Sequence, residues 1–371
     1  MTDLPPFRAD HVGSLLRPAA LLTAREDHAA GRISGEDLRA AEDTAIREVV
    51  AMQKEVGLRS ATDGEFRRTS WHMDFIYRLG GVSSSDESIK VRFENADGVI
   101  EFSTAALRVD GPVRLRETIF ADDFTFLREV AGDSITPKLT IPSPSMVHYR
   151  GGPAALDPTV YLDEELFWAD LSQAYAEQIA AVAELGCTYL QLDDTSLAYL
   201  NDPQQRAELA ARGDDAEHQH LRYIRQINTA LAARPDGLRV TTHMCRGNFR
   251  SSWAAEGGYD FVAEALFSEL AVDGFFLEYD DPRSGSFAPL RFVPPGKMVV
   301  LGLVTTKRGE LESKDDLKRR IEEASRYVPL EQLCLSPQCG FSSTVDGNSL
   351  TYDEQVAKLA LIVEVASEVW G

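Results

Sequence analysis

Four cysteines in 371 residues are too few and too scattered for a disulfide framework, so oxidative stapling is not what holds this chain. Long apolar runs are missing too. Nothing approaches the roughly 20 residues that a bilayer span needs. Basic charge is scarce: Lys plus Arg number 38 against 59 Asp plus Glu, a net charge of −21. Such a surface repels phosphate backbones and anionic headgroups, which argues against nucleic acid or a membrane as partner and leaves small molecules. The start, Met-Thr-Asp-Leu-Pro-Pro, has neither the basic end nor the apolar core of a secretion signal, and a cytoplasmic location is expected. Low-complexity tracts and interdomain linkers are absent. With 44% hydrophobic and 26% charged residues, the remainder is ordinary globular sequence, read as a single catalytic domain over 1–371. Its oligomeric state is left open.

What is present is a rhythm. Eight short runs of β-branched, aromatic or aliphatic residues fall near 7–13, 58–64, 138–142, 188–194, 238–243, 274–279, 298–304 and 332–337. Stretches with helical periodicity separate most of them, notably 35–56, 163–185, 313–327 and 352–369. Nearly continuous apolar strands suit a parallel sheet covered by helices, and eight units predict a (β/α)8 TIM barrel. Gly57 and Gly186 follow two of the helices directly, where a left-handed residue can end a helix before the next strand. Residues 69–120 break the rhythm with Gly80-Gly81, a serine run and alternating segments. They are read as an inserted β-hairpin after the second strand, lying at the face where barrel loops build sites and able to act as a lid.

Chemistry collects at the ends of the predicted strands. His243 and Cys245 lie in Thr-His-Met-Cys-Arg-Gly-Asn and Cys339 in Ser-Pro-Gln-Cys-Gly-Phe, each directly after an apolar run. Imidazole and thiolate are the donors zinc prefers, and Glu278, ending Phe-Phe-Leu-Glu, would complete a four-donor shell drawn from three strand ends. These donors span nearly a hundred residues, unlike the local knuckles of structural zinc sites, and a carboxylate is the donor most readily exchanged for an incoming thiol. The blander alternatives are that His243, Cys245 and Cys339 are unrelated core or loop residues, or that they hold a purely structural ion. Cys187 and Cys334 sit inside apolar runs and read as inert buried thiols.

Glu65 and Asp193 end the second and fourth runs. Each alone would most simply support a loop. Together in one pocket they would suit the ammonium of an amino-acid substrate, with Ser14 and nearby backbone N–H groups left for its carboxylate. His218 and His220 read as surface residues. His11 and His148 are expected near the mouth without an assigned role.

These motifs together carry a family resemblance. Through His11-Val-Gly-Ser14-Leu-Leu-Arg-Pro, Thr62-Asp-Gly-Glu65-Phe-Arg-Arg, Leu190-Gln-Leu-Asp193-Asp, Thr242-His-Met-Cys-Arg-Gly-Asn, Leu277-Glu278-Tyr-Asp-Asp and Pro337-Gln-Cys339-Gly-Phe, the chain resembles the cobalamin-independent methionine synthases. It is similar to short bacterial proteins that match the catalytic half of those enzymes. The resemblance implies a zinc-dependent methyltransferase that carries a methyl group to the thiol of homocysteine, giving methionine. It implies zinc held by His243, Cys245, Glu278 and Cys339, and homocysteine held by Ser14, Glu65 and Asp193. The donor it implies is 5-methyltetrahydrofolate, in its polyglutamyl form 5-methyltetrahydropteroyltri-L-glutamate.

Three departures stand beside it. This chain has no room for the second barrel that helps the long enzymes bind folate. Where those have a tryptophan after the third strand, it reads Pro142-Ser-Pro-Ser-Met-Val-His148-Tyr149. In place of their proton-donating histidine after the seventh strand stands Lys307, the expected proton donor here. Competing readings are a zinc thiol alkyltransferase with another donor, such as a methyl-corrinoid or an epoxide, or with another thiol, and a hydrolase using paired carboxylates from Glu65, Asp193, Asp194 and Glu278.

Overall fold

The computed structural model describes residues 4–95, 98–149 and 151–371. Seven strands form one parallel sheet in which each pairs with the next along the chain. They are β1 (Ser60–Ala61), β4 (Thr136–Pro142), β5 (Tyr189–Asp193), β6 (Arg239–Met244), β7 (Gly274–Glu278), β8 (Met298–Val304) and β9 (Leu333–Pro337). The eighth place belongs to residues 7–13. There Ala9 pairs with Leu335 in a single parallel bridge, Asp10 N–H donating to the Leu335 carbonyl at 3.1 Å and Leu335 N–H to that of Arg8 at 2.8 Å. On its other side Leu15 N–H reaches the Gly64 carbonyl at 3.1 Å and the Thr62 hydroxyl reaches that of Gly13. The fold is therefore a (β/α)8 barrel.

Two of the eight expected strands need correction. The first is one bridge rather than a ladder, and the second shrinks to two residues, because side-chain bonds such as Ser60 Oγ to Asp10 Oδ1 at 2.9 Å do the joining there. The four expected helices are observed as Gly35–Glu55, Glu164–Glu184, Lys314–Ala324 and Tyr352–Trp370. The first and last begin in capping boxes, Ser34 with Asp37 and Thr351 with Glu354, which satisfy N-terminal N–H groups. Each buries an apolar stripe against the barrel, for instance Ile46, Val49 and Val50, then Leu359, Ile362 and Val365. Gly57 and Gly186 take φ of 92° and 90°, ending their helices as expected.

Inside the barrel the chain buries an ion. Lys138 on β4 is wholly enclosed, its Nζ donating to the His11 carbonyl at 2.6 Å and lying 3.5 Å from Asp10 Oδ1 and 4.1 Å from the centre of the Phe276 ring. Asp10 is further held by the Tyr189 hydroxyl at 2.8 Å. Removing one partner of a buried pair leaves a charge without its counterpart, which costs about 3–5 kcal/mol. Lys138→Met is accordingly expected to lower unfolding free energy by about that amount in urea titrations, and the double variant with Asp10→Asn to recover part of it.

The inserted hairpin comprises β2 (Gly80–Asn95) and β3 (Gly98–Arg114), paired antiparallel and preceded by a short helix, Met73–Ile76. It folds back onto the barrel mouth. Glu94 and Trp253 exchange two backbone hydrogen bonds, at 2.7 and 2.9 Å, and the Phe93 ring lies 5.3 Å from that of Phe249. Among the described residues, no helix is long and apolar enough to cross a membrane.

Candidate metal centre

Parallel register places the chemistry at one end of the sheet. Asp193, last in β5, pairs with His243 in β6, so the carboxylate and the imidazole emerge side by side. Cys245 follows β6 by one residue and Cys339 follows β9 by two. One ligand atom each from His243, Cys245 and Cys339 lies within 4.8 Å of the others, and all three residues are buried. His243 Nδ1 faces Asp193 Oδ1 at 3.2 Å, while Gln191 Nε2 donates to the same oxygen at 2.7 Å. This carboxylate–imidazole pairing fixes a ring for metal binding through its other nitrogen, Nε2.

The protons of this cluster are unevenly shared. The Cys245 thiol donates to Cys339, and although burial opposes it, that bond and the neighbouring His243 imidazolium hold the Cys339 thiol well below the usual range. Cys245 moves the opposite way, raised by the Cys339 thiolate and by burial. Burial pushes His243 down, yet Asp193 and Cys339 outweigh it and leave its pKa raised. Nitrogen and two sulfurs converge on one point, one of the thiols held well below its usual range, and a divalent cation can displace the protons they carry. That donor set fits zinc.

Glu278 does not join this three-atom group. It is fully buried, Oε1 accepting from Arg283 Nη2 at 2.7 Å and Lys307 Nζ at 3.1 Å, Oε2 from Arg246 N–H at 2.7 Å. Burial alone would raise its pKa, but Lys307, Arg283 and Arg246 overcome it and hold the carboxyl below its ordinary range. Lys307 also reaches Asp280 Oδ2 at 2.9 Å, and these two carboxylates raise its pKa against the effect of burial. An ammonium bound this firmly is a poor acid, and Lys307 is not on the wall of the cavity below. Its two ion pairs tie it to Glu278 and Asp280.

The cavity, about 420 Å³, opens above the cluster and is lined by Ser14, Glu65, Asp193, His243, Cys245 and Cys339. The expected metal donors and amino-acid contacts, Glu278 apart, thus share one space. Glu65 sits at φ 60°, a left-handed backbone that costs a non-glycine residue on the order of 1 kcal/mol. It is held there by Asp63 Oδ1, which accepts its N–H at 2.9 Å, and by Arg17 Nη2, which donates to its carbonyl at 2.9 Å. Burial raises its carboxyl to about 7, with Arg68 and the Thr140 hydroxyl opposing and Asp193 adding to the rise. His11 and His148 are buried elsewhere and line no part of this cavity. His218 is exposed as expected, whereas His220 is half-buried with its ring 5.1 Å from that of Phe261. Cys187 and Cys334 are the inert thiols expected, both pushed up to about 12 by burial.

The loop after Cys339 is pinned by its backbone. Asn248 Nδ2 donates to the Gly340 carbonyl at 2.7 Å and the Thr306 hydroxyl does so at 3.1 Å. A Cβ on Gly340 would collide with Ser14 Oγ and come within 3.1 Å of Ser14 Cβ. Gly340→Ala is therefore expected to displace the Ser14 hydroxyl and raise the KM for the amino-acid acceptor about tenfold with its metal content unchanged, read by steady-state kinetics beside metal analysis.

Sequence reasoning missed two groups. Trp71, Phe93 and Phe249 line the cavity but lie in irregular or inserted segments, whose periodicity says nothing about which way they face. Arg246 and Arg283, which charge-balance Glu278, belong to loops whose convergence needs the closed barrel, although Arg246 directly follows Cys245.

Fold and centre define a class: a (β/α)8 barrel enzyme with a nitrogen–sulfur donor set at the C-terminal mouth of its strands. The family described as "Cobalamin-independent synthase, Catalytic domain" matches residues 7–368, and the chain belongs to it. It is thus a methyltransferase of the cobalamin-independent methionine synthase type. It is 49% identical to the uncharacterized protein YxjG of Bacillus subtilis, over 99% of this chain and 95% of that one. A methionine synthase of Saccharolobus solfataricus is 25% identical, over 92% of this chain and 90% of its own. A crystal structure from Listeria monocytogenes, described as a candidate vitamin-B12-independent methionine synthase, superposes with a TM-score of 0.78 at 40% identity, each chain covered completely.

Proposed function

We propose that this protein methylates the thiol of homocysteine to give methionine, at a zinc ion held by His243, Cys245 and Cys339. The observation carrying this reading is that these three donors stand on the wall of the same cavity as Ser14, Glu65 and Asp193. When bound, zinc supplies the positive charge that keeps a thiol ionised, and still nucleophilic, at neutral pH. Glu65 and Asp193 receive the acceptor's ammonium and Ser14 its carboxylate, which aims the sulfur toward the three donors and converts a bimolecular encounter into an oriented one. Glu278 remains the candidate for a fourth, exchangeable donor. It lies on the strand next to His243, and it takes that place only by loosening Lys307 or Arg283.

The hairpin β2–β3, with residues 69–77, acts in this reading as the lid of a single domain, excluding water from the sulfur while a methyl group passes. A 5-methyltetrahydrofolate donor, which the family resemblance implies, requires a proton on its departing nitrogen. The ion pairs of Lys307 argue against that residue as the source and favour a second reading in which another methyl donor serves the same acceptor. Metal analysis together with a homocysteine assay across several donors tests the proposal. Stoichiometric zinc and methionine formation are expected; a metal-free preparation with full activity would overturn it.

A further inference from the structure

The loop after β6 touches both the hairpin and Glu278. Residues 246–257 start directly after Cys245 and turn back at Arg250 and Ser251, which take φ of 50° and 64°. Hairpin turns usually give that left-handed backbone to Asn or Gly, so this turn persists only because its neighbours fix it. Phe249 and Ser252 close it with two backbone hydrogen bonds, at 3.2 and 3.0 Å. Ser251 N–H donates to Asn348 Oδ1 at 3.0 Å, which ties the turn to the chain beyond Cys339.

Trp253 follows the turn and has a partner on each side. Its backbone exchanges two hydrogen bonds with Glu94 of the hairpin, and Arg283 Cζ lies 4.6 Å from the centre of its ring. Arg283, only 8% exposed, donates through Nη1 to the Ala255 carbonyl at 3.2 Å and through Nη2 to Glu278 Oε1 at 2.7 Å. Arg246 N–H, at the start of the same loop, holds Oε2. Among the described residues, two of the three groups that donate to the Glu278 carboxylate thus belong to this loop or rest on it, and Lys307 is the third.

We propose that Trp253 is a positioning residue that makes the hairpin and the Glu278 carboxylate move together. The inference rests on the zinc and thiol-methylation reading and states what governs its fourth donor. With the hairpin docked, the Trp253 ring seats Arg283 on Glu278, the carboxylate stays with its cations, and the other three donors leave a position for the acceptor's sulfur. When the hairpin lifts from Trp253, the ring loses its seat and Arg283 slackens its hold on Oε1. Glu278 is then released to close the shell. Linkage makes the coupling reciprocal: whatever draws Glu278 to the ion loosens the hairpin, and whatever docks the hairpin frees the fourth position. Losing a cation–π contact with a partly desolvated guanidinium shifts such an equilibrium by about two- to thirtyfold.

The test uses the full chain without metal, with zinc alone, and with zinc and homocysteine. X-ray absorption at the zinc edge, showing a third sulfur when homocysteine is added, checks the acceptor reading by itself. Trp253→Leu removes the ring and keeps both backbone bonds to Glu94. It is expected to bind zinc about tenfold more tightly in chelator competition and homocysteine about tenfold more weakly in calorimetry, and Trp253→Phe to restore most of both. Opposite shifts separate this from damage to the fold, which would weaken both ligands. In the parent, zinc alone should quicken deuterium exchange at the Glu94 and Trp253 amides about fivefold, and homocysteine should then slow it. That measurement needs no variant and decides the matter should Trp253→Leu fail to fold. Zinc and homocysteine affinities that fall together or keep their parental values, or exchange at those two amides that ignores zinc, would overturn the coupling. Opposite effects of Trp253 on zinc and hairpin without a third sulfur on the metal would sustain the link to Glu278 and sink the acceptor reading instead.

Discussion

Cys339→Ser is expected to remove stoichiometric zinc and to depress methyl transfer about a thousandfold or more. Cys339 is the thiol that Cys245 and His243 hold well below its usual range, and its sulfur lies within 4.8 Å of the other two donor atoms, so its replacement removes one of the three donors. Serine is close in size, and the loop remains held through Gly340 by Asn248 and Thr306. The fold should survive, which circular dichroism and a thermal melt would show. Inductively coupled plasma analysis and methionine formation are the readouts. A variant that retained both metal and turnover would mean that the cluster does not hold the catalytic ion.

Glu65→Gln is expected to separate binding from stability. Burial raises the Glu65 carboxyl from an ordinary value of 4.5 to about 7, so the folded protein holds a proton there that the unfolded chain has released. The stability this lends is fully present below pH 4.5 and is lost as pH rises through 7. In full it amounts to about 3 kcal/mol for a group this completely enclosed. Glutamine cannot ionise and still accepts the Thr140 hydroxyl that Glu65 Oε1 accepts at 2.7 Å. The variant should therefore match the parent near pH 5 and unfold at a higher temperature than the parent near pH 8. Acceptor affinity should fall about a hundredfold, because the counter-charge for the ammonium is gone. For the parent, affinity should rise with pH through 7 as the carboxyl ionises, and calorimetry in buffers of different ionisation heat would detect the released proton. Identical pH profiles for parent and variant would exclude this assignment.

The six strands from β4 to β9 are legible within two residues, since each centres on residues buried on both faces of the sheet. The strands near 7–13 and 58–64 were not, because their joining is done by Asp10, Ser60 and Thr62 side chains that no periodicity announces. His243, Cys245 and Cys339 could be found because donor residues directly after strands are forced to one end of a parallel barrel. The setting of Glu278 could not. Its three cations come from the loop after β6, the segment after β7 and the loop after β8, and only the closed ring shows that they spend its charge. The ion pairs of Lys307 stay hidden for the same reason: position after a strand reveals proximity to a site, and says nothing about which carboxylate arrives first.

The seam beside residues 7–13 divides the mouth into unequal halves. On one side, β5 through β9 form multi-residue ladders, with one register shift between Gly302 and Val304, beneath the three donors. On the other, Ser14 and Glu65 flank the place where one bridge and a few side chains replace a ladder. Compliance is thereby concentrated beside Ser14 and Glu65, while the ladders under Asp193 and His243 hold their backbone. Amide hydrogen exchange should be quickest across that joint and should slow there first when an acceptor is bound.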